Sequence, residues 1–181
     1  MKKNIMNTGV LVTMLVAMGS CEDCEYDPPE DQPVYFEYNY INHAWGYQHH
    51  GWLIDGDGYV RYFESPDSFR TADSSGYMTP EDLEYNLGQT DSIVDQVDPE
   101  ELQGYIDCIS GAAKGEIGES INIAADAGAS VLTCYMYDQV MDAYLKVFLA
   151  QSGDWEQFNL SAEAEKLVSW LRGFNVFWLS E

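Results

Sequence analysis

The sequence predicts an α+β fold, a single domain with an antiparallel sheet and about three helices. Period-two runs rich in aromatic and β-branched residues fall early and late in the folded region. Proline-led, acid-rich helix starts stand between them, at Thr79-Pro80 and Asp98-Pro99. There is no regular βαβ alternation and no internal repeat. At 181 residues, 46% hydrophobic and 14% aromatic, the chain has room for one domain and enough apolar mass to bury a core. A purely disordered acidic chain is therefore excluded.

The elements follow in order. Val34 to Tyr40 places Val34, Phe36, Tyr38 and Tyr40 at period two, a strand signature. Trp52-Leu53-Ile54, Asp55-Gly56-Asp57-Gly58 and Tyr59 to Phe63 read as strand, turn and strand of a β-hairpin. Thr79-Pro80-Glu81-Asp82 offers a capping hydroxyl, proline at the first helical position and acids near the positive dipole end. Asp98-Pro99-Glu100-Glu101 repeats the device. It leads a helix with Leu102, Tyr105, Ile106 and Ile109 on one stripe, ended by Gly111. Residues 114 to 128 read as partly loop. Val131 to Tyr137 is a strand with Leu132, Cys134 and Met136 on one face, and Tyr144 to Ala150 another. Ser152-Gly153-Asp154 forms a turn. Ser161 caps a last helix carrying Ala164, Leu167, Val168 and Leu171, and Phe174 to Leu179 is a final strand or docked tail.

Residues 1–20 read as a signal peptide. Lys2 and Lys3 precede the apolar run from Val10 to Met18, and small residues follow. The run is shorter than the ~20 apolar residues a membrane-spanning helix needs. Met18-Gly19-Ser20-Cys21 resembles the lipobox of bacterial lipoproteins, with methionine where leucine is usual. The resemblance implies lipidation of Cys21, which becomes the first mature residue, and a bacterial cell-envelope location at the outer membrane or cell surface. Its alternative is cleavage at Ala17-Met18-Gly19 before Ser20, which releases a secreted protein. Residues 21–33, CEDCEYDPPEDQP, read as an acidic, proline-stiffened tether. Glu22 and Asp23 loosely resemble the surface-export signals of some Gram-negative lipoproteins. Residues 34–181 are the α+β domain.

The chain carries 8 Lys+Arg against 31 Asp+Glu, a formal charge of −23. Loss of Lys2 and Lys3 leaves 6 basic against 31 acidic side chains, a balance of −25. Such a surface is repelled by nucleic acid and by anionic headgroups, so no nucleic-acid partner is expected and lipid alone would hold the protein at a membrane.

Four cysteines in an exported chain point to disulfides. Cys108 and Cys134 are the candidate pair, closing a loop of about 27 residues for roughly 3.5 kcal/mol in the chain-entropy model. The alternative is two ordinary buried thiols. Cleavage before Ser20 adds Cys21–Cys24 as a second pair.

All three histidines fall in Asn42 to Trp52, where His43, Trp45, Tyr47, His49, His50 and Trp52 form the candidate binding segment. On a regular strand His43 and His49 stand about 20 Å apart, and His49 and His50 face opposite ways. Only a loop at Ala44 to Gln48 would gather them. Asp55-Gly56-Asp57-Gly58 begins like an EF-hand loop but carries Tyr59, Val60 and Pro66 at positions needing an oxygen ligand, glycine and glutamate. No metal and no cofactor is expected. No nucleophile elbow, zinc-protease, phosphate-loop or dinucleotide motif occurs, and catalytic residues are unassigned. The expectation is an envelope-anchored, non-enzymatic domain that binds a protein or glycan partner through exposed aromatics. The alternative is a small secreted or tethered hydrolase using a histidine and a carboxylate.

Overall fold

The computed structural model describes Tyr26 and residues 28–174. The expected signal, Cys21, Cys24 and the tail after Phe174, with Phe177 and Trp178, lie outside these residues. The domain is α+β, as its sequence predicts. β1 (Val34–Asn42) pairs antiparallel with β2 (Gln48–Asp55), and β2 with β3 (Tyr59–Glu64). A two-residue strand, β4 (Tyr77–Met78), precedes helix α1 (Pro80–Leu87). Then come β5 (Ser92–Gln96), α2 (Pro99–Ile106), α3 (Ile109–Ala113), β6 (Ile121–Asn122), β7 (Ala129–Asp138), β8 (Ala143–Gly153), β9 (Trp155–Phe158) and α4 (Ala162–Leu171). Among the described residues the sheet runs β5-β3-β2-β1-β7-β8-β9-β6, with β4 on the edge of β8.

Strand alternation sends successive side chains to opposite faces, and both faces are covered. Phe36, Tyr38, Trp52, Ile54, Val60, Leu132, Cys134, Val147 and Leu149 meet the apolar stripes of α2, α3 and α4 in the larger core. Val34, Leu53, Phe63, Tyr135 and Tyr144 meet Met78 of β4 and Leu83 of α1 in the smaller one. Val34 therefore departs from the expected shared face with Phe36, Tyr38 and Tyr40. The β1–β2 register shifts between Val34 and Phe36, and this irregularity inverts which face Val34 presents.

Helix starts follow the capping chemistry in the sequence. The Thr79 side chain accepts from Asp82 N, and Asp82 reaches back to Thr79 N. Asp98 accepts from Glu100 N and Glu101 N, and Ser161 from Ala164 N. The second predicted helix is broken in two. Cys108 N bonds Tyr105 O, an i−3 bond that tightens the turn and redirects α3 toward α4. Gly111 does not end the helix; it lies inside α3, where an added Cβ would come within 2.5 Å of Glu163 Cγ on α4.

The tether boundary also moves. Tyr26 and Gln32 are buried, not solvated. Tyr26 OH donates to Gln32 Oε1 at 2.7 Å and accepts from Tyr137 N at 2.8 Å. Gln32 Nε2 donates to the carbonyls of Val34 and Tyr135, both at 3.0 Å. An aromatic ring and an amide that fit β7 override the extended character of the surrounding acids and prolines.

Cys108 and Cys134 are free thiols, so the expected bridge is not formed in this structure. Both are buried in the helix-side core, and Cys108 Sγ, at the break between α2 and α3, donates to Gly104 O of α2. Burial pushes the Cys134 thiol well above its ordinary range.

Two outcomes test this packing. Leu167→Ala empties a fully buried position between α4 and the sheet, and should cost about 2–5 kcal/mol in urea unfolding at an unchanged m-value. Cys108 and Cys134 should react with a thiol reagent only in denaturant, without prior reduction; a need for reductant would restore the bridge.

Candidate functional site

The loop at Ala44 to Gln48 does form, and it divides the candidate segment. β1 ends at Asn42 and β2 begins at Gln48 opposite it, so residues 43–47 are a hairpin tip. Trp45 is 80% exposed and Tyr47 60% exposed. His43, also exposed, stacks obliquely on Tyr47 with ring centroids 5.2 Å apart. The structure thus brings His43, Trp45 and Tyr47 together in solvent. It places His49, His50 and Trp52 on β2, pointing alternately to the two faces.

Trp52 is core, stacked on Tyr38 and edge-on to Phe174. His50 lies half-buried against Tyr40, with ring centroids 4.7 Å apart. His49 is 5% exposed, edge-on to Phe63 and Phe69, and its Nε2 is buried without a hydrogen-bond partner. Two further tryptophans divide likewise. Trp170 stacks on Tyr105 and donates from Nε1 to Glu101, whereas Trp155 stays 46% exposed.

A groove of about 580 Å³ opens beside the tip. Asn42, His43 and Ala44 form one wall; Asp126, Gly128, Asp154 and Trp155 form the other. Its loop is held from several sides. Asn42 Nδ2 donates to Tyr40 OH and to Asp126 O, and Asn42 Oδ1 accepts from Ala44 N. Asp154 Oδ1 accepts from Ala127 N at 2.7 Å, and Asp154 N donates to Gly128 O at 2.8 Å. Asp126 sits at φ +65° and Gly128 at φ +72°. A Cβ at Gly128 would lie 2.6 Å from Ile41 O, so only glycine fits there. Asp126 carries the left-handed conformation without being glycine, an outlier that the surrounding bonds maintain. Asp126 and Asp154 do not stand out in the sequence, where residues 114–128 read as loop and 152–154 as a plain turn. The Asp-x-Gly spacing at 126–128 was the available signal.

A second polar constellation lies on the opposite face of the sheet from the α2–α4 layer. Glu37 is 1% exposed. Its carboxylate accepts from Lys146 Nζ at 2.9 and 3.0 Å, from Tyr135 OH and from Asn39 Nδ2 at 3.1 Å. Burial alone would raise its pKa, but the Lys146 charge and these hydrogen bonds outweigh it and hold the carboxyl below its ordinary range. Tyr135 is pushed far up by burial and by the Glu37 charge. Nothing in the sequence marks Glu37, one acid among 31.

Asp55 is likewise structural. It accepts from Asp57 N and Tyr59 N and pairs with Arg61, which organises the β2–β3 turn. Among the described residues no three His, Cys, Asp or Glu side chains are grouped to hold a metal ion.

Comparison of the chain with protein-family models, with curated proteins and with solved structures finds no match.

The buried groups set a pH dependence. Burial lowers the pKa of His49 and of His50 from the ordinary 6.5, so below that pH the unfolded chain takes up protons that the folded chain refuses. Glu37 lies below 4.5, so the unfolded carboxyl likewise protonates first. Stability should therefore fall as pH drops through about 6.5, and again below about 4.5. In unfolding measured from pH 8 to 3, His49→Phe should make the first limb shallower, His50 carrying the remainder, and Glu37→Gln should flatten the second. A wild-type profile flat over this range would overturn the assignment.

Proposed function

We propose that this chain is an envelope-anchored bacterial lipoprotein whose domain is a non-enzymatic binding module, with the β1–β2 hairpin tip and its adjoining groove as the site. The observation that carries the binding role is Trp45, 80% exposed at the end of a central hairpin beside exposed His43 and Tyr47. Exposed aromatics grouped on one tip, with amphipathic rings, are the kind of surface a partner covers. The lipoprotein part rests on Met18-Gly19-Ser20-Cys21 and on the −25 balance after signal loss, which leaves a lipid as the means of attachment.

Strand geometry fits this division of labour. β1 spans 9 residues, about 26 Å at the usual rise. Its Val34 end joins the segment leading back to Cys21, and its Asn42 end carries the tip. An anchor at one end presents the aromatics away from the membrane. No helix among the described residues is long and apolar enough to cross a bilayer.

A hydrolase at Glu37 and His49 is the second reading, favoured by the unpartnered Nε2 of His49. Against it, Lys146, Tyr135 and Asn39 already engage the Glu37 carboxylate. Neither residue lines the groove beside the tip.

Intact mass of the membrane-extracted protein should give a chain starting at Cys21 with acyl groups attached; an unlipidated chain starting at Ser20 would overturn the anchor. Trp45→Ala should leave Tm unchanged and weaken sedimentation of the full-length mature protein with washed envelope preparations about tenfold. Equal sedimentation of variant and wild type would remove the tip as the site.

A further inference from the structure

The groove beside the hairpin tip carries a more specific inference, which rests on the binding reading above. We infer that it accommodates a glycan containing cationic amino sugars, stacked on Trp155 and held by the carboxylates of Asp126 and Asp154.

The chemistry of the walls selects the ligand. Trp155 lines the groove with nearly half its surface in water, although β9 fixes its backbone opposite Asn122 of β6. A rigid indole face suits the apolar C–H face of a pyranose ring and also attracts a cation. Asp126 is exposed and its carboxylate has no partner among the described residues, while Asp154 spends one oxygen on Ala127 N and keeps Oδ2. These oxygens accept hydrogen bonds from sugar hydroxyls and charge-assisted ones from an ammonium. His43, on the facing wall, supplies a further polar group.

Two alternatives fit less well. An extended peptide is usually taken up by a free sheet edge, through main-chain bonds. Here the groove sits at the ends of β1 and β7, both interior strands. Its loop backbone is already bonded at Asp126 O, Ala127 N and Gly128 O. An anionic glycan meets two carboxylates on a chain with a formal charge of −23. A cationic glycan is complementary to both the local and the overall charge.

The site is also held ready. The Asn42 and Asp154 hydrogen bonds fix the loop, and Asp126 holds a left-handed backbone. Binding then requires little ordering of the protein, which favours a weakly held sugar.

Isothermal titration of the full-length mature protein with a glucosamine hexamer tests this, with the N-acetylated hexamer and an oligolysine as comparators. The glucosamine oligomer should bind, and more tightly than its N-acetylated form. Trp155→Ala should weaken it about tenfold. Asp126→Asn should tolerate the same backbone and weaken the glucosamine oligomer about threefold at low salt, with no effect on the N-acetylated one. High salt should erase that difference. Equal affinity for both oligomers, untouched by Asp126→Asn, would overturn the cationic assignment. Binding of oligolysine but not of sugars, lost in Trp45→Ala, would overturn the glycan and leave the binding site standing. Oligomer binding indifferent to Trp45→Ala, Trp155→Ala and Asp126→Asn alike is charge adsorption elsewhere, and would overturn both.

Discussion

Glu37 is a carboxylate taken out of water in the middle of a sheet, and the register of the three central strands is arranged around it. Tyr135 stands on β7 and Lys146 directly opposite it on β8, so one anion joins three neighbouring strands on one face. Such a network adds little net stability, because desolvation consumes most of the Coulomb gain. Its effect is on alternatives. A one-residue slip of β1 against β7 would send Glu37 into the apolar layer beneath α2–α4 and leave Lys146 without its counter-charge. The same face holds His49, whose ring packs on Phe63 and Phe69 at the expense of an unpartnered nitrogen. Polarity on this side is used for register, and apolar packing on the other side for cohesion.

With the register set, the hairpin tip and groove follow from how the strands end. β1 and β2 pair out to Asn42 and Gln48, which leaves five residues to turn. Asn42 spends its amide on the neighbouring loop, so the tip and the approach to β7 are one unit. Gly128 lets that loop pass close over Ile41, and Asp154 fastens it from the β8–β9 connection. The exposed aromatics stand on a rigid base, which is what a preformed recognition surface needs.

Much of the architecture was legible because the signals were local. Thr79, Asp98 and Ser161 cap the helices they precede, and Leu132, Cys134 and Met136 share the face their spacing implies. The short strands β4, β5, β6 and β9 were not legible. They exist through pairing with distant partners, and two to five residues carry too little periodicity to show it. Tyr26 and Gln32 lay hidden in an acidic, proline-rich run because their burial depends on β7, about a hundred residues later. Within Asn42 to Trp52, composition grouped the histidines and aromatics but could not divide them between exposed tip and buried strand. Period two already set His49 and His50 on opposite faces, but which of the two is packed away against Phe63 and Phe69 depends on distant chain.

By itself the sequence determined the α+β class, the helix starts, the acidic balance and the clustering of histidines with aromatics. Each depends on composition or on contacts within one turn or hairpin. The tertiary structure alone decided that Trp52 and Trp170 are core while Trp45 and Trp155 face water. It also decided that Glu37 is buried among Lys146, Tyr135 and Asn39, and that Asp126 and Asp154 line the groove beside the tip. Exposure and charge pairing depend on which distant strand lies alongside. That is settled only when the whole sheet closes.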